Sequence, residues 1–207
     1  MARGRSSGYD GQRDAILSRA TELFAQSGYT ETSMNQVAQA CGLSKPALYH
    51  YFRDKSALLV GIAEEHVMRL EAVTEQVIAQ QLPAQACLEQ LIISFVREYA
   101  GAQHAHRVLI DEIRFLQEED RTRILDRERH VVSVFAGVIY QLRPELKEAG
   151  LSKPLTMLLF GMINWMFTWL KPDGKLTYED MGPIVSDFFF GGLAAVTARI
   201  KAEENNK

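Results

Sequence analysis

The chain of 207 residues holds only two cysteines, Cys41 and Cys87, too few for a disulfide framework. Its first ten residues, MARGRSSGYD, contain no apolar stretch, so no signal peptide is read there and the cytoplasm is the expected compartment. Alternating strand patterns of useful length are missing, as is any repeat with a period of about 20–50 residues. There is no P-loop, GxGxxG, GxSxG or HExxH, so neither an enzyme nor a bound cofactor is expected. A metal is not expected either. His104 and His106, with Asp111 and Glu112, come nearest, but residues two apart on a helix point in different directions and no cysteine cluster supports them. Excess positive charge is also lacking: the net formal charge is −3, so any nucleic-acid binding must be local.

A long hydrophobic run is nearly present. The 17 residues from Pro154 to Leu170 carry no charge. A spanning helix needs about 20 predominantly apolar residues. This run is shorter, contains Asn164, and is bracketed by Lys153 and Lys171, so it reads as a buried helix and no membrane partner is expected.

What is present is helical periodicity. At 47% hydrophobic and 24% charged residues the chain can fill one or two cores, which excludes collagen-like and disordered classes. The patterns predict an all-α protein of about nine helices, at 11–27, 34–41, 45–51, 55–81, 84–101, 104–116, 119–142, 153–170 and 178–201. Pro183 falls inside the last, where it either kinks the helix or moves its start to about 183. Residues 1–55 carry seven basic and five acidic side chains, a balance of +2 that leaves −5 on residues 56–207. The expected domains are therefore a small head, 1–55, and a larger helical body, 56–207.

Within the head, Ile16, Ala20, Leu23 and Phe24 form one apolar face, and Gly28 ends that helix. Ser33 and Gln36 have capping-box spacing, and Met34, Val37, Ala38 and Cys41 make the inward stripe of a second helix. Gly42 breaks it. Ser44 caps a third helix, with Pro46 in the first turn and Leu48 and Phe52 facing inward. Two short helices joined by a glycine turn give a helix-turn-helix layout. Lys45, Ala47, Tyr49 and His50 then face outward, as groups able to meet phosphates and base edges in a major groove. The plainer alternative is a helical hairpin with a solvated face. An N-terminal arm with Arg3 and Arg5 offers further phosphate or minor-groove contacts.

The stretch GYTETSMNQVAQACGLSKPALYHYFRDKSALL resembles the DNA-binding signature of TetR/AcrR-type bacterial regulators, over about residues 10–58. The resemblance implies a ligand-responsive repressor that binds a palindromic double-stranded operator as a homodimer. It implies that Ser33 touches phosphate, that Ser44, Lys45, Pro46, Ala47, Tyr49 and His50 lie in or along the groove, and that Tyr51 and Lys55 contact the DNA backbone.

Residues 56–207 resemble the ligand-binding and dimerisation domain of the same family, whose last two helices pair with a second subunit. Gly161, Gly191 and Gly192 would allow close approach there, and Leu158, Phe160, Phe188, Phe189 and Phe190 supply apolar area. Candidate ligand-wall residues are Phe95, Tyr99, Ile110, Phe115, Tyr140, Met162, Trp165, Met166 and Trp169, each of which could equally be plain core. Arg107 and Arg114, seven apart on one predicted helix, could meet an anionic ligand or simply belong to a solvated face. The tail GMINWMFTWLKPDGKLTYEDM…DFFFGGL resembles the subgroup that senses CoA thioesters, which implies an acyl- or aryl-CoA effector. The acidic body keeps open the alternative of a neutral or cationic aromatic, drug-like compound.

Overall fold

The computed structural model describes residues 7–171 and 174–197. The arm with Arg3 and Arg5, and positions 198–201 of the expected last helix, lie outside the described residues. Those residues form ten α-helices: α1 (Ser7–Ser27), α2 (Met34–Ala40), α3 (Lys45–Tyr51), α4 (Lys55–Ile78), α5 (Ala84–Gly101), α6 (Gln103–Glu112), α7 (Glu118–Leu142), α8 (Pro144–Glu148), α9 (Ser152–Asn164) and α10 (Tyr178–Ala195). Short 3-10 turns follow α6 at Ile113–Phe115 and α9 at Met166–Thr168. The fold is all-α, as the periodicity implies.

The chain divides into two compact units. The first gathers the chain up to Arg69 together with Ala102–Asp126; the second holds Leu70–Gly101 and the chain from Arg127 onward. The first unit thus reaches past residue 55. The reason is its core: Ile16, Ala20 and Phe24 of α1, Val37 of α2 and Leu48 of α3 share one apolar cluster with Leu58, Leu59 and Ile62 of α4 and with Val108 and Leu109 of α6. Inside it, Nε2 of His66 (α4) lies 3.2 Å from Nδ1 of His106 (α6), both rings being buried. One imidazole donates to the other.

The second unit is built on aromatic rings. Phe95 of α5 and Phe135 of α7 meet edge to face at 4.9 Å, and Phe160 of α9 stands 4.9 Å from Phe135. Such pairs contribute ~0.5–1.5 kcal/mol each beyond their area burial. α10 packs against α5 through Gly182, whose missing side chain leaves room for Ile93 at 3.5 Å. Arg143, between α7 and α8, donates to the carbonyls of Leu193 (2.5 Å) and Val196 (2.9 Å). A guanidinium at a helix C-terminus answers both its open carbonyls and its dipole.

Four expectations change. The helix expected over 104–116 ends at Glu112, because Leu116 donates to Ile113 and closes a 3-10 turn. The helix expected over 153–170 ends at Asn164, where the Trp165 amide turns back to Ile163 and the Asn164 Oδ1 is buried without a hydrogen bond. Pro144 opens an additional short helix, α8, at its first position, where a proline is tolerated. Pro183 does not set the start of the last helix: Thr177 caps it, with the reciprocal Asp180 bond, six residues earlier in the sequence. Pro183 lies inside α10 on its exposed side, and Glu179, the residue four before it, is exposed too, so water serves the carbonyl the proline cannot.

Burial, and secondarily the neighbouring His106 and Arg69, hold His66 neutral, with its pKa lowered from 6.5 to about 3. The unfolded chain binds the proton that the folded chain refuses, so this contribution is whole above pH 6.5 and is lost as pH falls from 6.5 toward 3. Urea midpoints measured from pH 8 down to pH 4.5 should therefore fall more steeply for the wild type than for His66→Asn, by up to ~1.4 kcal/mol per pH unit. Parallel curves would assign the acid sensitivity elsewhere.

Candidate functional site

Local hydrogen bonds, legible in the residue types, hold the helix-turn-helix. Ser33 accepts from the Gln36 amide while the Gln36 side chain accepts from the Ser33 amide, which fixes the start of α2. At its end the Gly42 amide donates to Gln39 (3.1 Å) and the Leu43 amide to Ala38 (2.9 Å). This paired closure needs a left-handed residue, and Gly42 has φ +65°. Ser44 then accepts from the Ala47 amide and begins α3. The expected inward stripe forms from Met34, Val37 and Ala38; Cys41 is only half-buried, and burial raises its thiol pKa, leaving it in the unreactive form.

With Leu48 and Phe52 buried, α3 turns Ser44, Lys45, Pro46, Tyr49 and His50 outward, while Ala47 and Tyr51 are half-buried. The Lys45 ammonium lies 5.9 Å from the centre of the Tyr49 ring. Tyr51 stacks on Tyr9 of α1 at 4.7 Å, and His50 meets Tyr9 edge-on at 6.2 Å. Tyr9 is a residue that sequence reasoning missed. The signal was available: positions 9, 13 and 16 continue the inward face of α1, and the Arg13 guanidinium lies over Phe52.

Lys55 is engaged within the protein. Its ammonium donates to the carbonyls of Tyr29 (2.6 Å), Thr30 (3.2 Å) and Thr32 (2.8 Å) and sits 4.3 Å from the Tyr29 ring centre. Those three acceptors occupy all three of its hydrogens. Lys55 fastens the α1–α2 connection to the first residue of α4.

The expected ligand-wall residues are divided between the two units. Phe95, Tyr99 and Met166 are buried in the second unit and Met162 is half-buried against its core. Phe115, Arg107, Arg114 and Ile110 belong to the first unit. Phe115 stacks on Tyr29 at 5.5 Å with the Arg114 guanidinium over its ring, and Arg107 pairs with Asp111 at 3.5 Å. The shared arginine face is also absent, since α6 stops between Arg107 and Arg114. Trp165 and Trp169 are exposed, at 62% and 52%, and so face away from the interior. Tyr140 is exposed beneath the Lys147 ammonium.

Outward-facing apolar groups gather on the last two helices. Met157, Leu158 and Gly161 line one side of α9, with Trp165 following it, and Ile184, Phe188 and Gly191 line one side of α10. Of the expected apolar residues, Phe160 and Phe189 point into the core instead. Among the described residues no helix is long and apolar enough to cross a membrane, and no group of three or more His, Cys, Asp or Glu could hold a metal ion.

Residues 16–62 match the family described as bacterial regulatory proteins, tetR family, and residues 81–193 match the family described as tetracyclin repressor-like, C-terminal domain. The HTH-type transcriptional repressor KstR2 of Rhodococcus jostii is 24% identical over 92% of this chain and 95% of its own. A TetR-family transcriptional regulator from Bordetella parapertussis is 33% identical, with a TM-score of 0.83 over 89% of this chain and 97% of that one. The structure of AibR in complex with isovaleryl coenzyme A and operator DNA is similar in fold, with 24% identity and a TM-score of 0.75 over 86% and 97% of the two chains.

If Lys55 is a fastener, Lys55→Met should lower the thermal midpoint, through a loss of about 2 kcal/mol from its charged hydrogen bonds. The salt dependence of DNA binding should keep its slope. A slope reduced by about one phosphate, with unchanged stability, would return Lys55 to the DNA contacts.

Proposed function

The chain belongs to the TetR family of bacterial regulators, and from that premise we propose that it is a cytoplasmic, dimeric transcriptional repressor released from its operator by an acyl- or aryl-CoA thioester. Residues 1–55 read the DNA and residues 56–207 bind the effector and pair the subunits. The observation that carries the DNA reading is the outward face of α3: Lys45, Tyr49 and His50 are exposed together on a helix held by Ser44 and buttressed by Tyr9. Lys45 and the hydroxyls of Ser33 and Ser44 are suited to phosphates, and Tyr49 and His50 to base edges.

Dimerisation through α9 and α10 is supported by the exposed stripe on those helices, where Leu158 and Phe188 are 65% and 73% exposed. A contiguous apolar face of this kind marks an interface. A two-fold dimer suits a palindrome whose half-sites lie ~34–36 Å apart or a multiple of that. The aromatic interior around Phe95, Tyr99 and Met166 suits an acyl or aryl group, and the tail after Asn164 resembles the CoA-thioester-sensing subgroup. AibR, similar in fold, was solved with isovaleryl coenzyme A and operator DNA.

The effector acts only through its different affinity for the DNA-competent and released states. A coupling of ~1–3 kcal/mol loosens operator binding about 5–150-fold. α4 is the continuous helix that enters both units, and its movement would change the spacing of the two heads.

Fluorescence anisotropy on DNA from upstream of its own gene should show tight binding that a thioester, and not its acid, reverses. Tyr49→Ala should lose operator preference, at a cost of ~1–3 kcal/mol for a base contact. Intact specificity in that variant would remove α3 from the reading role. Tight binding indifferent to every thioester would turn the search to aromatic, drug-like effectors. Phe188→Glu should give a monomer by analytical ultracentrifugation; a dimer of unchanged affinity would move the interface off α10.

A further inference from the structure

His50 stands in the last turn of α3 with its ring at the protein surface, and two other rings hold it there. Tyr51, the next residue, meets it edge to face at 5.7 Å. Tyr9 of α1 meets it edge to face at 6.2 Å, and the ring planes cross at 83° and 87°. Tyr9 and Tyr51 are themselves stacked at 4.7 Å and 26°, so the three rings form one cluster. Edge-to-face and offset-stacked pairs at such separations are the arrangements that ring quadrupoles favour.

Tyr9 is held in place by the residues that follow it on α1. One turn along, the Arg13 guanidinium lies over the Phe52 ring at 5.2 Å. Arg13 and Leu17 also lie against Gly61 of α4, where a Cβ would come within 3.6 Å of the one and 3.0 Å of the other. Ile16 and Leu17 are buried in the core of the first unit. The start of α1 is thereby registered against the end of α3. Tyr49, the other outward ring of α3, differs: its ring contact is with Lys45, one turn back on the same helix.

We infer that Tyr9 is a positioning residue for base recognition: from α1 it fixes the imidazole of His50, and so sets how strongly one base pair of the operator is selected. This rests on the proposed reading that α3 lies in the major groove. An exposed side chain that is free to change rotamer must give up that freedom when DNA binds, which weakens its contact and lets it drift to a neighbouring base. A ring already held by two tyrosines has little freedom left to lose, and it presents its hydrogen-bonding edge in one geometry.

The test is selection by the full chain from duplexes with a randomised centre, read by sequencing. His50→Ala and Tyr49→Ala mark the base pairs that depend on each ring. Tyr9→Leu keeps apolar volume on α1 and removes the ring, and Tyr9→Phe keeps the ring. Tyr9→Leu should lower the preference at the His50 base pair ~3–10-fold, leave the Tyr49 base pair within ~2-fold, and leave affinity for a scrambled duplex unchanged. Tyr9→Phe should retain the wild-type preference. Added to His50→Ala, Tyr9→Leu should change that base pair no further.

Wild-type preference at the His50 base pair in Tyr9→Leu overturns the inference. So does an equal fall at every base pair, which is what a loosened head would give rather than one misplaced ring. Should His50→Ala change no base pair while Tyr49→Ala does, α3 stays the reading helix and the role of Tyr9 falls. Should neither variant change any, α3 leaves the groove and takes the inference with it. A measurement that needs no Tyr9 variant is the proton spectrum of the full chain with only tyrosine and histidine rings protonated, the His50 signal being the one lost in His50→Ala. Cross-relaxation between the Tyr9 and His50 rings is expected, and its absence overturns the inference.

Discussion

The orientation of α3 depends on the ammonium of Lys55. The connection between α1 and α2 contains carbonyls at Tyr29, Thr30 and Thr32 that no helix uses, and one cation at the start of α4 collects all three. The loop, α2 and the first turn of α4 are thereby referred to one point. Buried Thr32 adds its hydroxyl to the Gly28 carbonyl from the other side of the same loop. α3 lies between α2 and α4 in sequence, so both of its ends attach to elements fixed by this point. Apolar packing of Leu48 and Phe52 makes the head cohere, but such packing is non-directional. The directional bonds of Lys55 and of the two serine caps give α3 a defined pose, and a recognition surface needs that before its side chains can select a base.

A second constraint is the way charge is kept out of the interior. The first unit buries two imidazoles and sets one against the other. The second lines its interior with rings and hydroxyls. Its cations are engaged with surface groups, Arg127 with Glu71 and Arg143 with the end of α10. The two units thus handle polarity differently.

What could be read in the sequence was what short-range geometry decides. Ser33, Gln36, Gly42 and Ser44 act through neighbours three to five residues away, so their spacing alone predicts the two helices and the turn. The apolar stripes of α1 and α2 follow for the same reason, as does the all-α fold. Long-range partners were not legible. The three carbonyls that hold Lys55 carry no mark in the residue types, and the end of α6 is not legible because a 3-10 turn after Glu112 leaves no signature in side-chain spacing. Trp165 and Trp169 look like core by composition. Their exposure follows from the break at Asn164, which rotates the chain beyond it.

The discontinuity of the first unit bears on how the protein is made. Its core closes only when Val108, Leu109 and Ile124 join residues contributed by the first four helices, and α5 intervenes in the sequence between them. On a ribosome, where a chain emerges from its N-terminus at ~5–20 residues per second, the helix-turn-helix segment appears first but lacks part of its apolar cover. It waits for the segment through Asp126 before its surface is sealed. The first unit is therefore complete only after more than half of the chain has been translated, while most of the second unit is still to be made.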